Sequence, residues 1–344
     1  MAMRCFFTSA LAMAATVAAA PVPQAPEDGN FVTTITLTTA STITHTVAHA
    51  TPTPTSAETV PTGYPSEPDS GYPLGPGSGS GLPGISYAPY RGDHQCKTKD
   101  EVHDDLSRLK GSYSLVRIYG TDCDQVPILY SCAKDSGMKL FLGIWDLDAV
   151  AEEAQKIIDG VNGDWSIVKT VSVGNELVNN GAASPAKVIA AVKQARKILR
   201  AAGYQGPVVT VDTFVAASAN PELCAESDYC AINAHAFFDA TVSADQAGSW
   251  LTKTVKNIKA KLPSDKRVVI CETGWPVKGN SNGLAVPGLA EQKKAIAAIE
   301  AAFADNMDDL ILFSAFNDPW KKEEAPTFNS EPYWGIDGAV SSSN

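Results

Sequence analysis

The chain has 344 residues, of which 44% are hydrophobic, enough for two average domains or for one large barrel with a sizeable core. Its formal net charge of −11 and its pI near 4.9 argue against a nucleic-acid or anionic-membrane partner, which would require a basic face. An acidic surface suits an uncharged ligand, but most soluble proteins share it.

The N-terminus has the pattern of a secretory signal. Arg4 precedes a short, alanine-rich apolar run over residues 5–20 that ends in small residues. This run is too short to span a membrane and is typical of a signal peptide cleaved near Ala19 or Ala20. A buried N-terminal helix is the alternative. We predict that residues 1–20 are a signal peptide and that the protein is secreted.

Residues 21–81 have the composition of a linker. Threonine is dense over residues 33–55, and a Gly/Ser stretch follows over residues 75–81. Such a segment lacks the apolar side chains that would offset the entropy of ordering, and in a secreted protein it indicates a disordered, O-glycosylated stalk. Residues 31–47 alternate enough to resemble a strand, but an isolated strand is not expected here. No Asn-x-Ser/Thr sequon is present, so N-glycosylation is not expected.

The predicted secretion determines how the cysteines are interpreted. Of the seven cysteines one lies in the predicted leader, and an even number in an oxidising compartment indicates disulfides. Cys224 and Cys230 are close enough in sequence to close a small loop. Cys96 has two candidate partners, Cys123 and Cys132.

From residue 82 onward, short apolar segments alternate with amphipathic ones. The predicted strands cover residues 84–87, 114–119, 139–145, 168–173, 208–211, 229–234, 267–271 and 310–314. The predicted helices cover residues 98–110, 125–136, 147–158, 184–202, 245–261 and 289–304. Eight strands over about 255 residues match a (β/α)8 barrel, with residues 82–344 as the catalytic domain. A doubly wound open sheet is the alternative, but Tyr-Ala-Pro-Tyr at residues 87–90 is no glycine-rich phosphate loop.

In such a barrel the carboxyl ends of the strands meet at one rim, where the active site lies. The predicted strand ends carry Tyr87, Arg117, Tyr119, Trp145, Asn175, Glu176, Asp212, His235, Phe237, Glu272, Trp275, Asn317, Asp318 and Trp320. Aromatic rings stack on sugars, and amides and carboxylates bind hydroxyls, so this set suits a carbohydrate site. The alternative is that these residues merely cap the barrel.

Two glutamates are the main chemical signal. Glu176 ends the fourth strand in Gly-Asn-Glu, and Glu272 ends the seventh in Glu-Thr-Gly-Trp-Pro. Strands four and seven lie across the ring from each other, so the two carboxyls are predicted to face one another. A separation of roughly 5 Å predicts a retaining glycosidase, and one of about 6.5–9.5 Å an inverting one.

These two motifs together resemble the signatures of glycoside hydrolase family 17. The opening Gly-Ile-Ser-Tyr at residue 84, the Arg-Ile-Tyr at residue 117 and the Phe-Ser-Ala-Phe-Asn-Asp-Pro-Trp-Lys at residue 313 resemble its fungal cell-wall branch. That branch contains secreted glucan endo-1,3-β-glucosidases and β-1,3-glucosyltransferases. The resemblance covers residues 84–337.

The resemblance implies a role for each matching residue. Glu176 would be the general acid/base and Glu272 the nucleophile, and Asn175 would hydrogen-bond the sugar 2-hydroxyl. The aromatic residues would line the cleft; these are Tyr87, Tyr119, Trp145, Phe237 and Trp275. Asn317 departs from the pattern, since the family would have an acidic residue at this position.

The expected partner is β-1,3-glucan, as polysaccharide and oligosaccharides, with no nucleic acid and no membrane. No cofactor and no metal are implied, and a monomer is expected. No hydrophobic tail follows residue 336, so a GPI anchor is not expected. A metal-ligand role for His235 and a nucleophilic role for Cys271 are the weaker alternatives, because neither residue has a partner at suitable spacing.

Three functions are open at this point. The first is a retaining endo-β-1,3-glucanase located outside the cell or in the cell wall. The second is a β-1,3-glucan transglycosylase with the same two glutamates. The third is a non-catalytic glucan-binding wall mannoprotein on a decayed barrel.

Overall fold

The computed structural model describes residues 81–263 and 265–337. Eight parallel strands close into a barrel in chain order, which confirms the predicted (β/α)8 fold. The strands are β1 (Gly84–Ser86), β2 (Leu115–Arg117), β3 (Lys139–Ile144), β4 (Val168–Asn175), β5 (Val208–Thr213), β6 (Cys230–Asn233), β7 (Val268–Thr273) and β8 (Leu310–Leu312). The predicted signal peptide and the predicted linker up to residue 80 lie outside the described residues.

Helices surround the barrel. They are α1 (Lys99–Leu109), α2 (Gln125–Ser136), α3 (Val150–Val161), α4 (Pro185–Ala201), α5 (Phe214–Ala219), α6 (Glu222–Ala225), α7 (Ala247–Lys259) and α8 (Leu289–Ala302). The short helices α5 and α6 between β5 and β6 were not predicted, because neither is long enough to show a helical period. After β8 the described chain forms a 3-10 turn, Ala325–Thr327, in place of an eighth crossover helix.

Local sequence signals explain where several helices begin and end. Thr98 caps α1 through a capping box with Glu101, and Ser184 caps α4 with Pro185 in the first turn. Gly137 ends α2 in the left-handed conformation that glycine adopts without strain. The Ser184-Pro185 helix start predicted from the sequence is therefore confirmed.

The strands have two buried faces. In β2, Leu115 belongs to an apolar cluster inside the barrel, whereas Val116 packs in the larger cluster beneath the helices. The inner cluster also contains Phe141, Val209 and Tyr229. Arg117 follows on the inner face, so a polar layer begins where the apolar plug ends.

Register shifts change the direction in which side chains point at the ends of β4 and β7, the two strands that carry the glutamates. The β4–β5 pairing shifts between Ser172 and Asn175, and the β7–β8 pairing shifts between Ile270 and Thr273. Strict alternation after the inward-facing Cys271 would turn Glu272 toward the helices. A β-bulge adds one residue to a strand, and here it brings Glu272 into the barrel mouth.

Two disulfides fasten the loops. Cys96 pairs with Cys123 and Cys224 pairs with Cys230, which decides between the two candidate partners of Cys96. Cys132 and Cys271 are free and buried, within the part of the chain that the structure describes. Across residues 81–263 and 265–337, no helix has both the length and the hydrophobicity needed to cross a bilayer.

Candidate active site

The two glutamates stand at the carboxyl ends of β4 and β7. Glu176 follows β4 on a left-handed turn, with φ of 55°, and its N–H donates to the Val211 carbonyl at 3.0 Å. Gly174, with φ of 75°, makes the turn possible, since a Cβ there would lie 2.7 Å from a Leu177 methyl carbon. The Gly-Asn-Glu motif thus provides a glycine that the backbone of the turn requires, as well as the carboxyl group of Glu176.

Glu272 is almost completely enclosed by hydrogen-bond donors. Its Oε1 accepts from Arg117 Nη1 at 2.9 Å and from the Tyr119 hydroxyl at 2.7 Å. Its Oε2 lies 3.4 Å from His235 Nε2. Its residue surface is only 6% exposed, so these donors replace the water that an ionised carboxylate needs.

Arg117 organises the centre of the site. Its Nη1 also donates to the Cys271 carbonyl at 2.8 Å, and its Nη2 donates to Asn175 Oδ1 at 2.8 Å. The guanidinium carbon lies 4.5 Å from the Tyr119 ring centre and 5.4 Å from that of Phe141. This buried cation therefore holds a carboxylate and an amide at the same time.

Asn233 links the two halves of the site. Its Nδ2 donates to Glu176 Oε1 at 2.9 Å and to Asn175 Oδ1 at 3.2 Å, and its Oδ1 lies 3.5 Å from Arg117 Nη1. The sequence analysis missed this residue. The signal that could have found it is its place as the last residue of β6, one strand from Glu272.

The two carboxyls have opposite proton affinities. Burial, together with the negative charge of Glu272, raises the pKa of Glu176 to about 8. Burial alone would also raise the pKa of Glu272, but Arg117, His235 and Tyr119 outweigh it and lower that pKa to about 2. Near neutral pH one carboxyl holds a proton and the other is ionised, as acid and nucleophile chemistry requires.

Three further predicted site residues lie around this centre, and a fourth follows β3 at the same end of the barrel. Asn175 and Tyr119 contact Arg117 and Glu272, as described above, and His235 packs edge-on against Phe313 and Trp334. Trp145 follows β3 as a half-buried residue whose backbone N–H donates to Glu153. The structure therefore brings Arg117, Tyr119, Asn175 and His235 to the glutamate pair.

Three predicted wall residues are packed into the protein interior instead. Tyr87 is 2% exposed and its hydroxyl donates to Asp105 of α1 at 2.7 Å. Phe237 and Trp275 are both 0% exposed and pack against each other, and the Trp275 indole N–H donates to the Val286 carbonyl. Their rings have no free face for a sugar, because each ring is enclosed by the packing behind the rim.

Three polar or aromatic residues after β8 serve the loop that holds them. Asn317 Oδ1 accepts from the Gly335 N–H at 2.9 Å. Asp318 accepts from the Trp320 indole at 3.1 Å, and Trp320, 8% exposed, packs edge-on against Tyr90. These contacts close the loop and do not aim the side chains at the glutamates.

Two charged residues of the same loop, Lys321 and Glu331, also lie near the glutamates and were not predicted. Lys321 Nζ lies 3.2 Å from Asp318 Oδ2 and 3.8 Å from Glu331 Oε2, with 14% of its side chain exposed. Burial opposes its charge, but the neighbouring carboxylates, including that of Glu272, outweigh burial and raise its pKa. A lone lysine and glutamate in a polar loop carry no sequence signal of this placement.

Asp212 also has a role different from the predicted sugar contact. It is 2% exposed, and its carboxylate accepts hydrogen bonds from the backbone N–H groups of Val178, Asn179 and Thr213.

No group of three or more His, Cys, Asp or Glu residues is arranged to hold a metal ion within the described ranges. The site as described combines a carboxyl with a raised pKa, a carboxylate with a lowered pKa and amide groups that can bind hydroxyls.

Sequence comparison identifies proteins that are similar to this chain. A family model described as the BtgE/BtgC glycoside hydrolase domain matches residues 84–335. The chain is 43% identical over 273 residues to cell surface mannoprotein MP65 of Candida albicans, covering 79% of this chain and 69% of that one. It is 45% identical over 259 residues to probable family 17 glucosidase SCW4 of Saccharomyces cerevisiae, covering 75% of this chain and 65% of that one.

Solved structures share the fold. A β-1,3-glucanosyltransferase of Rhizomucor miehei, an active-site mutant in complex with laminaritriose, matches with a TM-score of 0.65 and 24% identity over 75% of this chain and 93% of that chain. An endo-laminarinase from Formosa matches with a TM-score of 0.62 and 17% identity over 75% of this chain and 84% of that chain.

Proposed function

The chain belongs to the BtgE/BtgC glycoside hydrolase family, within glycoside hydrolase family 17, and from that membership we propose that it is a retaining enzyme that cleaves β-1,3-glucan internally. The observation that carries the proposal is the glutamate pair with opposite proton affinities, joined through Arg117 and Asn233. The names of the fold relatives, a glucanosyltransferase and a laminarinase, support β-1,3-glucan as the proposed substrate.

The reaction runs in two steps. The Glu272 carboxylate attacks the anomeric carbon while Glu176 gives its proton to the glycosidic oxygen, so the C–O bond breaks and a glycosyl-enzyme ester forms. Glu176, now ionised, then removes a proton from an incoming water. The water oxygen attacks the same carbon and releases Glu272, and the anomeric configuration is retained.

The surrounding residues support these steps. Asn175 accepts hydrogen bonds from Arg117 and Asn233, and we propose that it binds the 2-hydroxyl of the sugar at the cleavage point. The Tyr119 hydroxyl and His235 keep the nucleophile ionised and oriented. Trp145 stays a proposed stacking residue on the rim. An extracellular or cell-wall location accords with the name of the Candida relative.

Transfer to a second glucan is the other candidate outcome. The partly buried rings of Phe238, Phe313 and Phe328 gather beside His235, which contacts the nucleophile. Rings in this position would stack an acceptor sugar close to the glycosyl-enzyme. An acceptor hydroxyl would then replace water in the second step, with the same two glutamates in the same roles.

Reduced laminari-oligosaccharides distinguish the two outcomes. Purified protein should shorten them, and products longer than the substrate would establish transfer. Proton NMR of fresh products should show the β-anomer first; the α-anomer would exclude a retaining mechanism. Glu272→Gln should lower the rate by more than about 10⁴-fold.

The same variant tests the non-catalytic alternative. Glu272→Gln removes the nucleophilic oxygen but keeps the side-chain size, so glucan binding should survive. A wild-type protein that binds laminarin yet is as inactive as the variant would make the protein a glucan-binding wall component.

A further inference from the structure

Asp212, the next-to-last residue of β5, reaches across to the turn that carries Glu176. Its Oδ2 accepts from the Val178 N–H at 2.9 Å, and its Oδ1 accepts from the Asn179 N–H at 3.2 Å. The Thr213 N–H donates to the same Oδ1 at 2.8 Å. A buried carboxylate with three backbone donors has most of its acceptor sites occupied by protein rather than by ligand.

The same turn is fastened to β5 on either side of Asp212. The Glu176 N–H donates to the Val211 carbonyl at 3.0 Å, and the Thr213 hydroxyl donates to Asn179 Oδ1 at 2.9 Å. Three consecutive residues of one strand thus hold one turn of its neighbour. Such support is needed, because Glu176 has a left-handed backbone, which costs a non-glycine residue free energy unless its surroundings fix it.

The charge of Asp212 acts in the same direction. Its carboxylate is among the groups whose negative charge raises the pKa of Glu176, after burial and Glu272. It therefore favours the protonated form of Glu176, the form that donates to the leaving group. Both the position and the charge of Asp212 therefore favour proton donation by Glu176.

We propose that Asp212 is a positioning residue for proton donation: it touches no sugar, and it holds the turn after β4 so that Glu176 meets the glycosidic oxygen. This inference rests on the proposed function. It replaces the sugar contact predicted for Asp212 from its place at a strand end. Because the residue acts only through Glu176, its loss should matter only when the leaving group needs a proton.

Two donors test this. A laminari-oligosaccharide has a sugar leaving group that must be protonated, whereas a 2,4-dinitrophenyl β-laminarioside expels a stable phenolate without a proton. Asp212→Asn should lower kcat/KM by about 20-fold for the oligosaccharide and by less than about 3-fold for the dinitrophenyl donor. The basic limb of the oligosaccharide profile should move to lower pH, since the Asp212 charge no longer raises the pKa of Glu176. The kcat/KM value reports the first step alone, so later base catalysis by Glu176 does not enter.

Asp228 provides a matched control at the other end of β5. Its Oδ2 accepts from the Val208 N–H at 2.7 Å, and Arg196 pairs with it at 2.9 Å. Asp228→Asn should lower the melting temperature and leave the ratio of the two donors unchanged. If Asp212→Asn yields too little folded protein, Asn179→Ala removes the Thr213 contact and should show the same donor selectivity at about 5-fold.

The outcomes separate this inference from the function it rests on. Equal losses on both donors, with no movement of the basic limb, would make Asp212 merely structural and would overturn the inference. A wild-type protein inactive on both donors would overturn the proposed function, and the inference with it.

Discussion

The β7 side and the β4 side of the active site place the same residue type in opposite surroundings. On the β7 side, the Glu272 carboxylate accepts from the Arg117 guanidinium and the Tyr119 hydroxyl. On the β4 side, Glu176 accepts from the neutral amide of Asn233 and is exposed to the negative charges of Glu272 and Asp212. Glu272 is therefore surrounded by hydrogen-bond donors, whereas Glu176 has a neutral donor and acidic neighbours.

The difference shows how a barrel gives two identical side chains different chemistry. Two unit charges 4 Å apart interact by about 4 kcal/mol at an effective dielectric constant of 20. That energy corresponds to about 3 pKa units, enough to decide which of two equal acids holds the proton. The buried cation Arg117 contacts Glu272, and its charge is the largest of the influences that lower the pKa of Glu272 below that of Glu176.

Removing that cation should have the largest effect. In Arg117→Met, burial raises the pKa of Glu272 without opposition from the guanidinium, so both glutamates compete for protons. We expect kcat/KM to fall by about 10²–10³-fold and the acidic limb of its pH profile to move to higher pH. Arg117→Lys keeps the charge but loses the fork that also holds Asn175, and should give an intermediate loss with little movement of the limb.

A double variant controls for folding. Breaking a buried ion pair at one partner costs about 3–5 kcal/mol, whereas replacing both partners costs much less. Arg117→Met with Glu272→Gln should therefore melt at a higher temperature than Arg117→Met alone. If the acidic limb stays in place in Arg117→Met, the guanidinium does not set the ionisation of Glu272.

Asn233 tests the other side with a smaller effect. Its amide favours the ionised form of Glu176, so Asn233→Ala should raise the pKa of Glu176 and move the basic limb to higher pH. The rate below that limb should fall by about 10-fold, because Glu176 and Asn175 both lose an orienting contact. Kinetic profiles on laminari-oligosaccharides measure both quantities. A shift toward lower pH, the direction expected for Asp212→Asn, would contradict the assigned role.

The fold and the two glutamates could be predicted because a short stretch of sequence carries the signal for each. Strand after strand shows an apolar run that ends in polar residues, and Gly174-Asn175-Glu176 combines a backbone requirement with the reactive group. Arg117 and Tyr119 alternate along the predicted strand 114–119, so a correct inner face for one implies the other, although β2 itself ends at Arg117.

The walls of the site were predicted less well for a reason visible at Tyr87. Strand-end position says which rim a residue is on, but not which side of the pleat it faces, and Tyr87 faces α1 through Asp105. Bulges add a second uncertainty, since Glu272 faces the cavity only after a register shift. Asn233 and Lys321 depend on contacts between distant strands and loops, which no local pattern contains.

The smallest predicted effect concerns stability and again separates the two sides. Glu176 binds its proton more tightly in the folded protein than in the unfolded chain, so the stability it contributes is full below about pH 4.5 and is lost as pH rises through about 8. Glu176→Gln removes this loss. Its melting temperature relative to wild type should rise by at least about 2 °C between pH 5 and pH 9, the shift that 1 kcal/mol produces in a domain of this size. Glu272→Gln is the comparison variant. The contribution of Glu272 itself fades only as pH falls toward about 2, but its charge also helps to raise the pKa of Glu176, so the melting temperature of Glu272→Gln relative to wild type should rise over the same range by less than that of Glu176→Gln. A flat profile for Glu176→Gln would mean that Glu176 titrates as an ordinary carboxyl, and the contrast between the β4 and β7 sides would then rest on Glu272 alone.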